Sequence, residues 1–274
     1  MELEITETVL LNNADRAIET LHKLKALGVR IAIDDFGTGF SSLNYLKRLP
    51  IDKVKIDRSF VQEIISDRHD AAITQGIISM AHHLRLKVIA DGVETEPQFA
   101  FLKKSHCDES QGYYFAKPMP FSEVEEYLRQ RMLVHEPTTN STAEDQIQTV
   151  LLLDDEENIL RALARVLRRD GYKILMATRA QDAFELLAKH DVQVILSDQR
   201  MPEMNGTEFL SRVKDLYPDT IRIVLSGYTD LKSVTDAINK GAIYKFLTKP
   251  WDDDQLRQNI SQAFRELRVN RGDE

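Results

Sequence analysis

The chain has 274 residues, is 42% hydrophobic, and carries 44 acidic against 36 basic side chains for a net charge of −8. That length fits two domains with buried cores, and the negative balance argues against a nonspecific nucleic-acid surface. No run of 18 apolar residues and no signal peptide occurs, so a soluble, cytoplasmic protein is expected, and the single cysteine, Cys107, excludes an internal disulfide.

In chain order, the first strands and strand ends are read at Leu3-Glu4-Ile5-Thr6-Glu7, Ile31 to Gly39, Val54 to Asp57, Val88 to Glu94 and Gln111-Gly112-Tyr113. Helical patterns over Ala14 to Leu27, Leu43 to Leu49 and Ile73 to Leu84 separate them, which makes this half a run of βα units. Period two places Lys55 and Asp57 on one face of their strand and Val54 and Ile56 on the other, and separates Glu4 from Leu3 and Ile5. In a barrel the charged face looks into the lumen, where carboxylates are costly unless they bind metal or substrate. Plainer readings stay open: Glu4 and Glu7 as edge-strand charges, Asp34-Asp35 as turn formers, Lys55 and Asp57 as a structural ion pair. His82 and His83 are adjacent on a helix and diverge, so a metal pair is not expected. Cys107, beside His106, reads as a buried or incidental thiol.

The blocks Glu4-Ile-Thr-Glu7, Asp34-Asp35-Phe-Gly-Thr-Gly39, Lys55-Ile-Asp57, Asp91-Gly-Val-Glu94 and Gln111-Gly-Tyr113 resemble the EAL domain of cyclic di-GMP phosphodiesterases, from Met1 to about Leu128. The resemblance implies a (β/α)8 barrel with Glu4, Asp34 and Asp35 as Mg2+ or Mn2+ ligands and Asp57 close by. Lys55 would hold the attacking water, Asp91 would act on metal or water, Gln111 would contact the nucleotide, and Glu7 and Glu94 would brace the metal-site loop. Paired metals suit phosphodiester hydrolysis. No Glu-Ala-Leu tripeptide occurs, so about three N-terminal strands and two expected ligands are missing, and the EAL-like part is a partial barrel with roughly half the usual ~250 residues. Asp91 stands where that family usually has Glu, a retraction that can cost about 100-fold in rate. Met1 is therefore read as a boundary inside a longer protein with a cyclase-like or sensory segment upstream.

A helix is expected from about Ser122 to Met132, and the polar, aperiodic stretch Val134 to Gln146 reads as an exposed linker in which His135 is solvated. The expected organisation is 1–132, a linker at 133–147, and a second domain at 148–274.

In the second half, apolar runs at Val150 to Leu153, Lys173 to Ala177, Val194 to Ser197, Arg222 to Ser226 and around Phe246 read as five strands of a doubly wound parallel sheet. Helical patterns lie over Ile159 to Leu167, Ala180 to Ala188, Gly206 to Leu216, Leu231 to Asn239 and Asp253 to Leu267. Asp154, Asp155, Asp198, Ser226 and Lys249 all fall at carboxyl ends of strands. Individually, Asp154-Asp155 fits a helix N-cap, Asp198 a loop acid and Ser226 a turn residue.

The ordered set, from about Thr149 to Leu267, closely resembles the receiver domain of two-component response regulators. The resemblance implies Asp198 as phosphoacceptor and a carboxylate nucleophile, with Asp154 and Asp155 joining it around Mg2+. It makes Lys249, before a cis Pro250, the phosphoryl counter-charge, Ser226 the reporter and Phe246 the aromatic switch. Gly241 to Phe246 has one residue more than the commonest pattern, leaving Tyr244 as the other choice; spacing to Lys249 favours Phe246.

The expected partners are a histidine kinase or phosphotransfer protein and cyclic di-GMP, with a receiver homodimer as one route of coupling. No DNA-binding domain is expected after the receiver. Two readings stand: a phosphorylation-tuned phosphodiesterase module, or a non-catalytic nucleotide sensor or remnant joined to a phosphate-controlled interaction module.

Overall fold

The computed structural model describes residues 1–7, 14–39, 46–132, 147–227 and 241–271. The helix expected over Leu231 to Asn239, the start of the one over Leu43 to Leu49, and the linker stretch with His135 lie outside them. The chain divides into two units, Met1–Glu136 and Pro137–Glu274, and the described residues form two five-stranded parallel sheets.

In the first unit β1 (Glu2–Thr6), β2 (Arg30–Phe36), β3 (Lys53–Ile56), β4 (Lys87–Ala90) and β5 (Glu109–Ser110) pair in chain order, the progression of a barrel wall. Ile31, Ile33, Val54, Ile56 and Val88 are sealed from solvent. The helices are α1 (Ala14–Ala26), α2 (Arg58–Gln62), α3 (Arg68–His83), α4 (Glu96–Lys104) and α5 (Phe121–Met132). Helix α3 starts where Asp67 accepts from the amides of His69 and Asp70, and it buries Ala71, Thr74, Ile77, Ile78 and Ala81 at helical spacing. Among the described residues, no helix in the chain is long and apolar enough to cross a membrane.

The alternate face of the same sheet is charged. Lys53 Nζ on β3 lies 2.7 Å from Glu109 Oε2 on β5 and 3.3 Å from Glu2 Oε2 on β1, although those are the two edge strands. Arg30 of β2 reaches Glu2 at 3.6 Å and Lys87 of β4 reaches Glu109 at 3.9 Å. Each of the five strands therefore contributes one member to a chain of alternating charge. Neighbouring strands lie about 4.8 Å apart, so edges four strand spacings distant can share one ammonium only if the sheet is strongly curled.

Two expectations at strand ends are corrected. Strand β3 stops at Ile56, and Asp57 leaves the ladder to cap α2, its Oδ1 accepting from Ser59 N at 2.9 Å, so it does not share the face of Lys55 as a strand residue. The last strand of this unit is Glu109–Ser110 and not Gln111–Tyr113. Gln111 N still bonds Ala90 O, but its carbonyl is taken by Val93 N, beyond the end of β4, so the chain turns over that loop.

The second unit holds β6 (Thr149–Leu153), β7 (Lys173–Ala177), β8 (Val194–Asp198), β9 (Ile221–Ser226) and β10 (Lys245–Thr248), with helices α6 (Glu157–Leu167), α7 (Ala180–Lys189), α8 (Gly206–Leu216) and α9 (Asp253–Arg271). Its strand order is β10-β9-β8-β6-β7. Every residue of β6 and β8 is buried, which is why these strands read as continuous apolar runs. The chain reverses direction of sheet growth between β6 and β8, and a doubly wound sheet opens a crevice at that switch point.

Candidate functional sites

The carboxyl ends of β6, β8 and β10 bring together residues far apart in sequence. Lys249 Nζ lies 2.5 Å from Asp198 Oδ1 and 2.7 Å from Asp154 Oδ2. The Lys249–Pro250 bond is cis. Asp198 Oδ2 accepts from Arg200 N at 2.8 Å, and Asp154 Oδ1 accepts from Glu156 N at 3.0 Å. Both carboxylates are buried, and burial pushes Asp154 above the usual carboxylate range against the pull of Lys249. Burial pulls Lys249 down, but its hydrogen bonds to Asp154 and Asp198 outweigh that and hold it above an ordinary lysine. Asp155 is exposed.

Ser226 is buried at the end of β9, with Oγ donating to Gly227 O at 3.1 Å. Phe246 is 37% exposed, whereas Tyr244 packs against the core and hydrogen-bonds Glu266. Of the two aromatics, Phe246 is the one whose ring is uncommitted. Sequence reading missed the part played by Gly206: a Cβ there would stand 2.0 Å from Asp198 O. Only glycine lets α8 start this close beneath the acid.

The first unit gathers a parallel set. Lys55, 3% exposed, places Nζ 2.8 Å from Glu4 Oε2, 3.0 Å from Asp34 Oδ1 and 3.9 Å from Asp91 Oδ2. Burial alone lowers its pKa, and the bonds to Glu4 and Asp34 reverse the shift. Asp35 adopts φ 54°, a left-handed conformation Asp tolerates, and Thr38 Oγ1 bonds its carbonyl at 2.9 Å, so this pair of acids does shape a turn. Burial and the charges of Asp34 and Asp57 raise the Asp35 pKa, and its carboxyl is hydrogen-bonded to that of Asp57.

Glu7 is buried, with Oε2 accepting from Gly37 N at 3.4 Å inside the Asp34–Gly39 turn. Glu94 is not tied in the same way; its carboxylate is exposed, and the loop is held by Gln98. Gln98 Oε1 accepts from the amides of Glu94 and Thr95, and Nε2 donates to Gln62 O at 3.0 Å. The spacing Thr95-x-x-Gln98 is a capping-box signal that could have revealed this. Gln111 and Asp91 share one cavity of about 410 Å3 with Glu94. His82 Nε2 pairs with Asp108 at 2.9 Å and His83 Nδ1 with Ser79 O at 2.7 Å, so the two rings diverge as expected.

Both sites offer oxygen donors only, the chemistry preferred by hard divalent cations. Two carboxylates converge on Lys249 and three on Lys55, so each donor set already surrounds a positive centre. Among the described residues, no three His, Cys, Asp or Glu side chains are grouped for an ion by themselves. The donors fit a divalent cation in type, with Asp154, Asp155 and Asp198 in one unit and Glu4, Asp34, Asp35 and Asp57 in the other.

Residues 1–118 match the family described as the EAL domain, and residues 150–261 match the response regulator receiver domain. The chain joins part of an EAL domain to a receiver domain. Its EAL part is 53% identical over 129 residues to the cyclic di-GMP phosphodiesterase NbdA of Pseudomonas aeruginosa, covering 47% of this chain and 16% of that protein. It is 48% identical over 122 residues to the bifunctional diguanylate cyclase/cyclic di-GMP phosphodiesterase MucR of the same organism, covering 44% of this chain and 18% of that one. The receiver is similar to the signal receiver domain of an HD domain-containing protein from Pseudomonas fluorescens, at 38% identity and a TM-score of 0.44, covering 45% of this chain and 99% of the solved one. The chain thus spans less than a fifth of the length of these two curated relatives. An EAL domain beside a receiver domain fits cyclic di-GMP and two-component signalling.

Proposed function

We propose that a histidine kinase or phosphotransfer protein phosphorylates Asp198 and that this modification tunes an EAL domain acting on cyclic di-GMP in the cytoplasm. The proposed domains are 1–132 and 148–274, joined by a linker at 133–147. The observation that carries the reading is the Lys249 ammonium set between Asp154 and Asp198 at the switch point of the sheet. An Asp198 carboxylate oxygen attacks phosphorus as the bond to the donor nitrogen breaks, and Lys249 turns from Asp198 to the phosphoryl oxygens. Mg2+ held by Asp154, Asp155 and Asp198 supplies charge neutralisation when bound. Ser226 bonds a phosphoryl oxygen and Phe246 moves inward, so the phosphoryl group selects one of two receiver states, and a receiver dimer or the linker passes the bias on.

In the EAL part, Lys55 orients the attacking water, Gln111 and Asp91 face the nucleotide, Glu7 supports the Asp34–Gly39 turn while Gln98 takes the loop-bracing role expected of Glu94, and Mg2+ or Mn2+ belongs with Glu4, Asp34, Asp35 and Asp57. A second reading, a nucleotide sensor without turnover, is favoured by Asp91. Its Oδ1 accepts from Gly92 N at 2.7 Å and its Oδ2 stays 3.9 Å from Lys55, so the short acid is partly spent on its own loop.

The deciding experiment incubates this chain with cyclic di-GMP and Mg2+ or Mn2+, with and without acetyl phosphate. Linear pGpG that changes with the donor supports the first reading. No product, with Asp198 still labelled, means that only the receiver is competent in this chain and that catalysis belongs to a longer parent or to nobody. Asp198→Asn is expected to abolish labelling, and persistent labelling refutes the acceptor assignment. Asp34→Ala in a longer, active parent is expected to remove turnover; undiminished hydrolysis sinks the ligand assignment.

A further inference from the structure

A cavity of about 500 Å3 runs along β7, the strand that ends the second unit's sheet. Glu157 and Leu160 of α6 wall it on one side, Asp182 and Glu185 of α7 on the other, and Met176 of β7 forms its floor. The two helices cover opposite faces of the sheet: Leu160 belongs to the core shared with α9, whereas Phe184 of α7 packs on Phe209 of α8. The cavity is therefore the open edge of the sheet, with one helix above it and one below. Parallel pairing with β6 uses the Lys173 amide and the Ala177 carbonyl, which bond Gln148 O and Asp154 N. Alternation then turns the N–H and C=O groups of Ile174 and Met176 outward, where no strand among the described residues meets them.

Sheet edges are normally blunted by a proline, a bulge or a charge in mid-strand. Strand β7 carries none of these: Ile174, Leu175 and Met176 are consecutive, and the register with β6 is regular from Lys173 to Ala177. Met176 is 43% exposed. The charges along the edge are ordered. Lys173 is exposed at the amino end of the strand, while Glu157 and Asp182 lie near its carboxyl end, in the first turns of α6 and α7. Lys189, which lines the same cavity, sits in the last turn of α7 and so returns toward the amino end. Acid at one end and base at the other is a polarity that matches its own inverted copy.

We infer that β7 pairs antiparallel with β7 of a second copy of this chain, across a twofold axis at Leu175, and joins two five-stranded sheets into one. Ile174 then exchanges backbone hydrogen bonds with Met176 of the second copy, and the two Leu175 side chains meet as a non-hydrogen-bonded pair. Lys173 of the second copy lands beside Ala177, within reach of Asp182 and Glu185. Helices α6 and α7 each pack on β6 as well as β7, so they stand back from the edge and meet their symmetry mates at about 8–10 Å, the usual helix spacing. In α7 that antiparallel meeting sets Asp182 against Lys189 of the second copy. The opposite edge of the sheet is β10, which carries Phe246, so this pairing leaves the switch aromatic free. It depends neither on the phosphoryl group nor on the cyclic di-GMP reading.

The test is sedimentation equilibrium of the full chain over a concentration series, in which the parent is expected to interconvert between monomer and dimer. Met176→Pro removes an outward N–H that β6 does not use, and should weaken association at least about 10-fold while acetyl phosphate still labels Asp198. Lys173→Glu should weaken it about 5- to 10-fold, the contact occurring twice by symmetry, and adding Glu185→Lys should restore it. In a Cys107→Ser background, Leu175→Cys should form an oxidised dimer at least about 10-fold faster than Met176→Cys, because only position 175 faces itself across the axis. If Met176→Pro fails to fold, the charge pair and the cysteine pair decide. Asp198→Asn should associate like the parent. A parent that stays monomeric up to about 0.3 mM overturns the inference. So does a dimer that these substitutions leave intact, or association that requires a labelled Asp198, since either places the interface elsewhere.

Discussion

Lys53 and Lys55 leave the same face of one strand two residues apart, and each collects carboxylates from strands on both sides of it. Lys53 takes Glu2 and Glu109 from the two edges, and Lys55 takes Glu4 and Asp34 on one side and Asp91 on the other. The first cluster lies at the amino ends of the strands and the second at the carboxyl ends. The lower one holds the curl that lets the upper one converge.

The coupling between Lys53 and Glu109 should be measurable. Their side chains are 10% and 39% exposed, so the pair lies between the surface and buried regimes, and a double-mutant cycle with Lys53→Met and Glu109→Gln should return about 1–2 kcal/mol. Additive single effects in urea unfolding would show that the contact does no more than decorate the wall.

Stability should fall on the alkaline side. Hydrogen bonds that Lys53 donates to Glu109 and Glu2 outweigh its burial, and those that Lys55 donates to Glu4 and Asp34 do the same there, so both folded pKa values are raised. A raised lysine stabilises the fold fully below the unfolded pKa of about 10.4 and loses that contribution as pH climbs through the folded value. Urea midpoints should therefore drop between pH ~10 and ~12, less so in Lys53→Met. An identical drop in parent and variant would count against Lys53 as a source.

Gly206→Ala should damage the receiver without touching a charged group. The added methyl meets Asp198 O at 2.0 Å, and relief needs α8 or the end of β8 to shift, at about 1–3 kcal/mol. A lower melting temperature and slower acetyl phosphate labelling of Asp198 are expected together. Normal labelling at normal stability would mean that the loop has slack.

Cys107 should be inert in the folded chain. Burial pushes its thiol up to about 11, so at pH 8 only about one molecule in a thousand carries the thiolate. A disulfide reagent should modify it slowly in buffer and at once in denaturant; rapid native labelling would contradict that burial.

Legibility in the sequence tracked burial. Strands β6 and β8 are covered on both faces, so Val150 to Leu153 and Val194 to Ser197 announce themselves as apolar runs. The residues around Lys249 were legible because each ends such a run. The ends of β3 and β5 were not, because Asp57 fits equally a strand face or a helix cap, and Glu109–Ser110 contains no apolar residue. Helix α2 is too short for periodicity to show. The charged chain through Lys53 was invisible, since only the curl of the sheet brings Glu2 and Glu109 to one ammonium. Gly206 escaped notice for a similar reason: its neighbour Asp198 O is a backbone atom that no sequence pattern names.

Each acidic centre carries a built-in counterion. With Lys249 between Asp154 and Asp198, and Lys55 among Glu4, Asp34 and Asp91, one ammonium offsets part of the repulsion within each cluster without any divalent ion. Each lysine thus serves its acids as a tethered counterion, one that dilution and chelators cannot remove.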